Sequence, residues 1–65
     1  MLKLIQEWES GGKTYEYKGA QFSISPDKKI MWATDWRVAD WLVIDGLAIR
    51  ETFSTLYSHT QYTLK

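Results

Sequence analysis

The stretch TYEYKGAQFSI, residues 14–24, decides the fold of this 65-residue chain. On both sides of Gly19, apolar and polar residues alternate with a period of two, which is the pattern of a β-strand that buries one face. A glycine between two such runs favours a tight turn. The stretch therefore predicts a β-hairpin, whose apolar positions are Tyr15, Tyr17, Phe22 and Ile24.

The same alternation extends outward from this hairpin in both directions. Turn-forming residues at 10–12, 18–20 and 25–28 separate four strand-length runs, which predicts a four-stranded antiparallel meander. One face should be apolar and the other wetted, as in a sheet covered on a single side. Ile5, Met31 and Ala33 interrupt the polar positions. The predicted buried face comprises Leu2, Leu4, Trp8, Tyr15, Tyr17, Phe22, Ile24, Ile30 and Trp32.

A helix over residues 35–45 is the predicted cover for the apolar face. Thr34 is a suitable N-cap, and Gly46 is a natural residue for the left-handed position that ends a helix. At 100° per residue, five apolar side chains share one side of this helix. They are Trp36, Val38, Ala39, Leu42 and Val43.

A β-hairpin through Asp45-Gly46 is the competing interpretation of the same region, and it would make the protein all-β. Under that interpretation, residues 41–50 resemble the wing hairpin of small excisionase-like DNA-binding proteins. The resemblance would imply DNA binding, although the strongly basic recognition helix of those proteins is missing from this sequence.

The C-terminal residues 47–65 are rich in Thr and Tyr, and their alternation predicts one or two further strands. The apolar residues Ile49, Phe53, Leu56 and Tyr57 also fit a helical spacing, so a second helix is an alternative. The predicted fold class is α+β, a single domain in which one helix covers a four-stranded meander and C-terminal strands follow.

Composition limits what the protein can do. Eight Lys and Arg balance eight Asp and Glu, so no overall charge attracts nucleic acid or an anionic membrane. The chain has no Cys, and no apolar run is long enough for a membrane span or a secretory signal. We therefore expect a cytoplasmic protein without a membrane partner, whose ten aromatic residues supply the core.

The sequence offers few groups for catalysis. His59 is the single histidine and is expected in a turn, and no nucleophile, phosphate-binding or dinucleotide motif is present. Asp35, Asp40 and Asp45 are spaced by five residues, which spreads them around a helix and prevents convergence on one ion. We expect a protein that is not an enzyme and has no metal or cofactor.

The candidate site lies on the polar side of the predicted helix. Trp41 and Ile44 project there together with Arg37 and Asp40, and Trp and Arg are enriched at binding hot spots. The alternative is that the C-terminal strands bury Trp41 within the domain. The preferred hypothesis is a small non-catalytic module that binds or inhibits a partner protein, of the kind that phages and mobile elements encode.

Two other functions are open at this stage. The lysines near the turns, Lys13, Lys18, Lys28 and Lys29, could bind nucleic acid as an accessory protein does. Alternatively, the surface around Trp41 could be self-complementary and produce a homo-oligomer with a structural role.

Overall fold

The computed structural model describes residues 2–53 and 59–65. It contains a four-stranded antiparallel sheet, one helix and a two-stranded antiparallel sheet. The predicted α+β class and the meander are therefore confirmed. The elements are β1 (Lys3–Glu7), β2 (Lys13–Tyr17), β3 (Ala20–Ile24), β4 (Ile30–Ala33), α1 (Arg37–Ile44), β5 (Ala48–Phe53) and β6 (His59–Leu64).

The three turns of the meander form where the sequence predicts them. Lys18 and Gly19 both have positive φ, 50° and 84°, as a two-residue type I′ turn requires. In the next turn, the Lys28 N–H donates to the Ser25 carbonyl at 2.8 Å. Gly11, with φ of 96°, lies in the first turn. These turns fix the strand order β1-β2-β3-β4.

The core lies between α1 and one face of the sheet, which we call the inner face. Phe22, Val38, Ala39 and Leu42 are fully buried there. Tyr15 packs beside Phe22 with ring centroids 5.8 Å apart. A single helix thus covers the meander, as the sequence predicts.

The register of β4 contradicts one prediction for the core. Trp32 pairs with Ser23 and Ala33 pairs with Phe22, because an irregularity at Met31 shifts the pairing. Residues that pair directly share a face, so Ala33 takes the buried position. Trp32 lies on the opposite face, which we call the outer face, and is 50% exposed.

The edge strand β1 departs from the prediction in the same way. Its pairing with β2 shifts between Leu4 and Gln6, so that Ile5 occupies a bulge. Trp8 then lies on the outer face rather than in the core, and Leu4 on the inner face is about half exposed at the sheet edge.

The helix is shorter than predicted. Thr34 is not its N-cap, because the Thr34 backbone N–H and side chain bond to Gln21 of β3. Instead, the Asp35 carboxylate accepts a hydrogen bond from the Arg37 backbone N–H at 3.0 Å. Trp36, expected to face the core, precedes the first helical turn and is about half exposed.

The helix ends as predicted, with Gly46 in the left-handed conformation at φ of 78°. The Gly46 N–H donates to Val43 at 3.1 Å and the Leu47 N–H donates to Leu42 at 2.8 Å, which together form a Schellman motif. Residues 41–44 are therefore helical, and both the hairpin interpretation and the excisionase-like resemblance are wrong.

The two C-terminal strands, β5 and β6, are confirmed. They pair from Ala48↔Leu64 to Phe53↔His59, which rules out the alternative helix over residues 49–53. Leu56 and Tyr57, part of that alternative, lie outside the described residues. The end of β6 joins the meander, where the Leu64 N–H donates to the Lys28 carbonyl at 2.7 Å.

Candidate functional site

The predicted site residues Arg37, Trp41 and Ile44 lie on one side of α1 and form the surface that we call the helical patch. The Arg37 guanidinium lies over the Trp41 ring, 5.7 Å from its centroid, within the range of a cation–π interaction. Trp41 is half-buried and packs against the core. Ile44 is 79% exposed. The patch is therefore an aromatic ring fixed on its inner side, with a cation and an aliphatic side chain at its exposed edges.

Asp35 holds Arg37 in place. The Arg37 side chain donates from Nη2 and Nε to Asp35 Oδ2 at 2.6 and 2.9 Å. These hydrogen bonds hold the pKa of the Asp35 carboxyl below its usual range. Because Asp35 also accepts a hydrogen bond from the backbone N–H of Arg37, the first residue of α1, one carboxylate holds both the main chain and the side chain of Arg37.

Asp40, the fourth predicted residue, faces the C-terminal hairpin. Its Oδ1 accepts a hydrogen bond from the Tyr62 hydroxyl at 2.8 Å and lies 3.9 Å from Arg50 Nη1. Burial and the bond to Asp40 raise the pKa of Tyr62. Asp40 thus links the helix to β5 and β6, while Ile44 stays exposed.

Three of the four lysines of the nucleic-acid hypothesis are in ion pairs. Lys18 Nζ lies 2.9 Å from Asp45, Lys13 Nζ lies 3.6 Å from Glu7, and Lys29 Nζ lies 3.5 Å from Asp27. Lys13 and Lys28 line one open pocket of about 240 Å³ together with Lys65. The structure therefore brings two of these lysines together, whereas Lys18 lies at the opposite turn of the meander.

Asp45 connects the helix C-terminus to the β2–β3 turn. It accepts hydrogen bonds from the Tyr17 hydroxyl and from Lys18. The bond from Tyr17 is the main cause of the lowered pKa of Asp45, and the same bond raises the pKa of Tyr17. This contact orients the end of α1, on which Ile44 lies.

Sequence reasoning missed a second aromatic surface, on the outer face of the sheet. Trp32 lies on β4 in one row with Ser23, Thr14 and Gln6. Trp8 lies against Gly12, where the Cβ of any other residue would come within 2.9 Å of the indole ring. The available signal was the interruption of the alternation at Ile5 and Met31, which are the two positions where the register shifts.

Groups for catalysis or metal binding are sparse in the part of the chain that the structure describes. His59 begins β6 rather than occupying a turn, and it stacks on Phe53 with centroids 5.0 Å apart. Within residues 2–53 and 59–65, no three His, Asp or Glu side chains lie close enough to hold a metal ion. No helix in those ranges has the length and apolar character to cross a bilayer.

Comparison with known proteins adds no relative: the chain matches no family model, no curated protein and no solved structure.

Proposed function

We propose that this chain is a non-catalytic module that binds or inhibits a cytoplasmic partner protein through the helical patch of Arg37, Trp41 and Ile44. The observation that carries the proposal is the exposure of Ile44, which is 79% accessible beside a fixed Trp41 ring. Burying an exposed aliphatic side chain against a partner lowers the free energy of the complex, because it removes apolar surface from water.

The patch is organised before binding. Arg37 is held by Asp35 and by the Trp41 ring, and Trp41 is held by the core. Side chains that are already ordered lose little conformational entropy on association. Trp and Arg at the centre with an aliphatic neighbour also match the composition of interface hot spots. Because the Arg37 charge is already paired, the partner surface that fits is an apolar pocket rather than an acidic one.

Ile44→Glu tests the proposal without disturbing the core. The matched control is Met31→Glu, which introduces the same charge at another exposed apolar residue, 67% accessible, away from the helix. Wild-type protein and both variants are immobilised and exposed to lysate of the source cells. We expect a protein that the wild type and Met31→Glu retain and that Ile44→Glu loses.

The captured protein is then purified, and its affinity for each form is measured by calorimetry. We expect Ile44→Glu to weaken binding at least tenfold, which corresponds to about 1.4 kcal/mol, whereas Met31→Glu leaves it within about twofold. Equal affinity of Ile44→Glu and wild type would exclude the helical patch as the binding surface.

Nucleic-acid binding through Lys13, Lys18, Lys28 and Lys29 stays a prediction. Three of these four lysines already have carboxylate partners, which reduces the positive charge available to phosphates. If the hypothesis holds, DNA or RNA binding at low salt should weaken steeply as salt is added.

A further inference from the structure

We infer that the outer face of the sheet is a second binding site, whose ligand is an unbranched, neutral polysaccharide chain. The site consists of two exposed tryptophans, Trp8 and Trp32, and a row of polar side chains between them. It is independent of the helical patch, since α1 covers the inner face and these residues lie on the other.

The two tryptophans are exposed but held by the sheet. Trp8 is 41% and Trp32 is 50% accessible. The Trp8 ring lies on the backbone at Gly12, the position where a side chain would collide with the indole and approach the Ile24 carbonyl to 3.2 Å. Glycine at this position therefore leaves room for the ring to lie on the sheet. Indole faces presented in this way are apolar surfaces on which the C–H face of a sugar ring can stack.

Hydroxyl and amide groups lie between the tryptophans. Thr14 Oγ1 and Ser23 Oγ are 3.0 Å apart and share one hydrogen bond, so the pair retains a donor and further lone pairs. Thr14 is only 8% exposed, so the members of this row that a ligand can reach are the half-buried Ser23 and the exposed Gln6. Gln6 lies in the same row, and Glu16 and Gln21 lie in the next. Such neutral donors and acceptors match the hydroxyls of a sugar.

Charge argues against a nucleic acid on this face. Lys3 lies opposite Glu16 in the strand register, so their charges offset each other. The central row is uncharged and consists of Gln6, Thr14, Ser23 and Trp32. Affinity for nucleic acid depends mainly on cations that neutralise phosphates. A face without net positive charge suits a neutral ligand instead.

Area argues against a second copy of the chain that docks through this face alone. Three strand spacings and five residues give a face of roughly 14 by 16 Å, or about 220 Å². A stable protein interface needs about 800 Å² from each partner. A chain of about three or four hexoses is long enough to span the roughly 14 Å across the four strands, from Trp8 just after β1 to Trp32 on β4.

The test uses the full chain and four probes: cellohexaose, maltohexaose, chitohexaose and xylohexaose. Binding is followed by tryptophan fluorescence and by calorimetry. We expect at least one probe to bind saturably, and its disaccharide to bind at least tenfold more weakly because it cannot reach both tryptophans. Failure of all four hexasaccharides to bind at 10 mM would overturn the inference.

Matched variants locate the site. Trp32→Ala and Trp8→Ala should each weaken binding at least tenfold, whereas Trp36→Ala should leave it unchanged because the equally exposed Trp36 precedes α1. Circular dichroism checks that each variant is folded, and Gln6→Ala, which removes only an exposed amide, should weaken binding severalfold. Binding that persists in Trp32→Ala, or that is lost in Trp36→Ala, would contradict this site. Loss of sugar binding with retained partner binding separates this inference from the proposed function.

Discussion

Individual side chains connect the helix to the rest of the molecule, and Asp45 is the clearest case. Its carboxylate accepts from Tyr17 and pairs with Lys18, two residues of the β2–β3 turn region. These bonds favour the ionised form, which lowers the pKa of Asp45. Because a carboxylate with a lowered folded-state pKa stabilises the fold only when ionised, this contribution is present above about pH 4 and is lost as pH falls through the folded-state pKa.

Asp45→Asn should therefore reduce stability at neutral pH and have a smaller effect as the pH is lowered. The amide can accept from Tyr17 but cannot pair with the Lys18 charge. The measurement is urea unfolding of wild type and variant at pH 7 and pH 2.5. The two midpoints should differ more at pH 7 than at pH 2.5, because protonation of Asp45 becomes more favourable as pH falls toward its folded-state pKa. A difference of equal size at both pH values would show that the charge of Asp45 does not contribute.

At the scale of elements, α1 has sharply different sides. Leu42 is fully buried against the sheet, whereas Ile44, two residues later, projects into solvent. Leu42→Ala should lower the free energy of unfolding by about 2–5 kcal/mol. Ile44→Ala should change it by no more than about 0.5 kcal/mol, since it removes an exposed side chain. Chemical denaturation measures both, and similar losses in the two variants would mean that the helix has a different orientation.

The sequence predicted the elements well where local chemistry determines them. Gly19 and Gly46 adopt the positive φ values that a type I′ turn and a helix C-terminus need, and the β2–β3 hairpin pairs without interruption. The start of α1 was misplaced because Thr34 bonds to Gln21, a contact between residues far apart in sequence. Local preference for a cap cannot anticipate a tertiary bond that occupies the same side chain.

Two irregular pairings decide which aromatics are buried. A register shift of one residue moves each following side chain to the other face, and such shifts occur at Ile5 and Met31. Strict alternation therefore assigned Trp8 and Trp32 to the core. The apolar residues that broke the alternation marked the shifts, but period counting alone does not distinguish a bulge from an exposed apolar residue.

For the whole molecule, exposed apolar area is unevenly distributed. Ile44 and Trp36 are exposed on the helix side, and Trp8 and Trp32 on the outer face. A domain of this size has a thin margin of stability. Exposed apolar residues contribute little to that stability, and the two proposed binding surfaces would account for their exposure. The positions of Arg37, Trp41 and Ile44 on one side of the helix were predictable from periodicity. The hydrogen bond from Tyr62 to Asp40 was not, because only the tertiary fold brings these two residues together.

The most direct test of the helical patch is a nuclear magnetic resonance titration of isotopically labelled protein with the partner captured by the wild type. We expect the largest chemical-shift changes at Arg37, Trp41 and Ile44, including the Trp41 indole N–H, and small changes at Thr14 and Ser23 on the outer face. Shift changes concentrated on the outer face or along β1, with Ile44 unaffected, would contradict the proposed function.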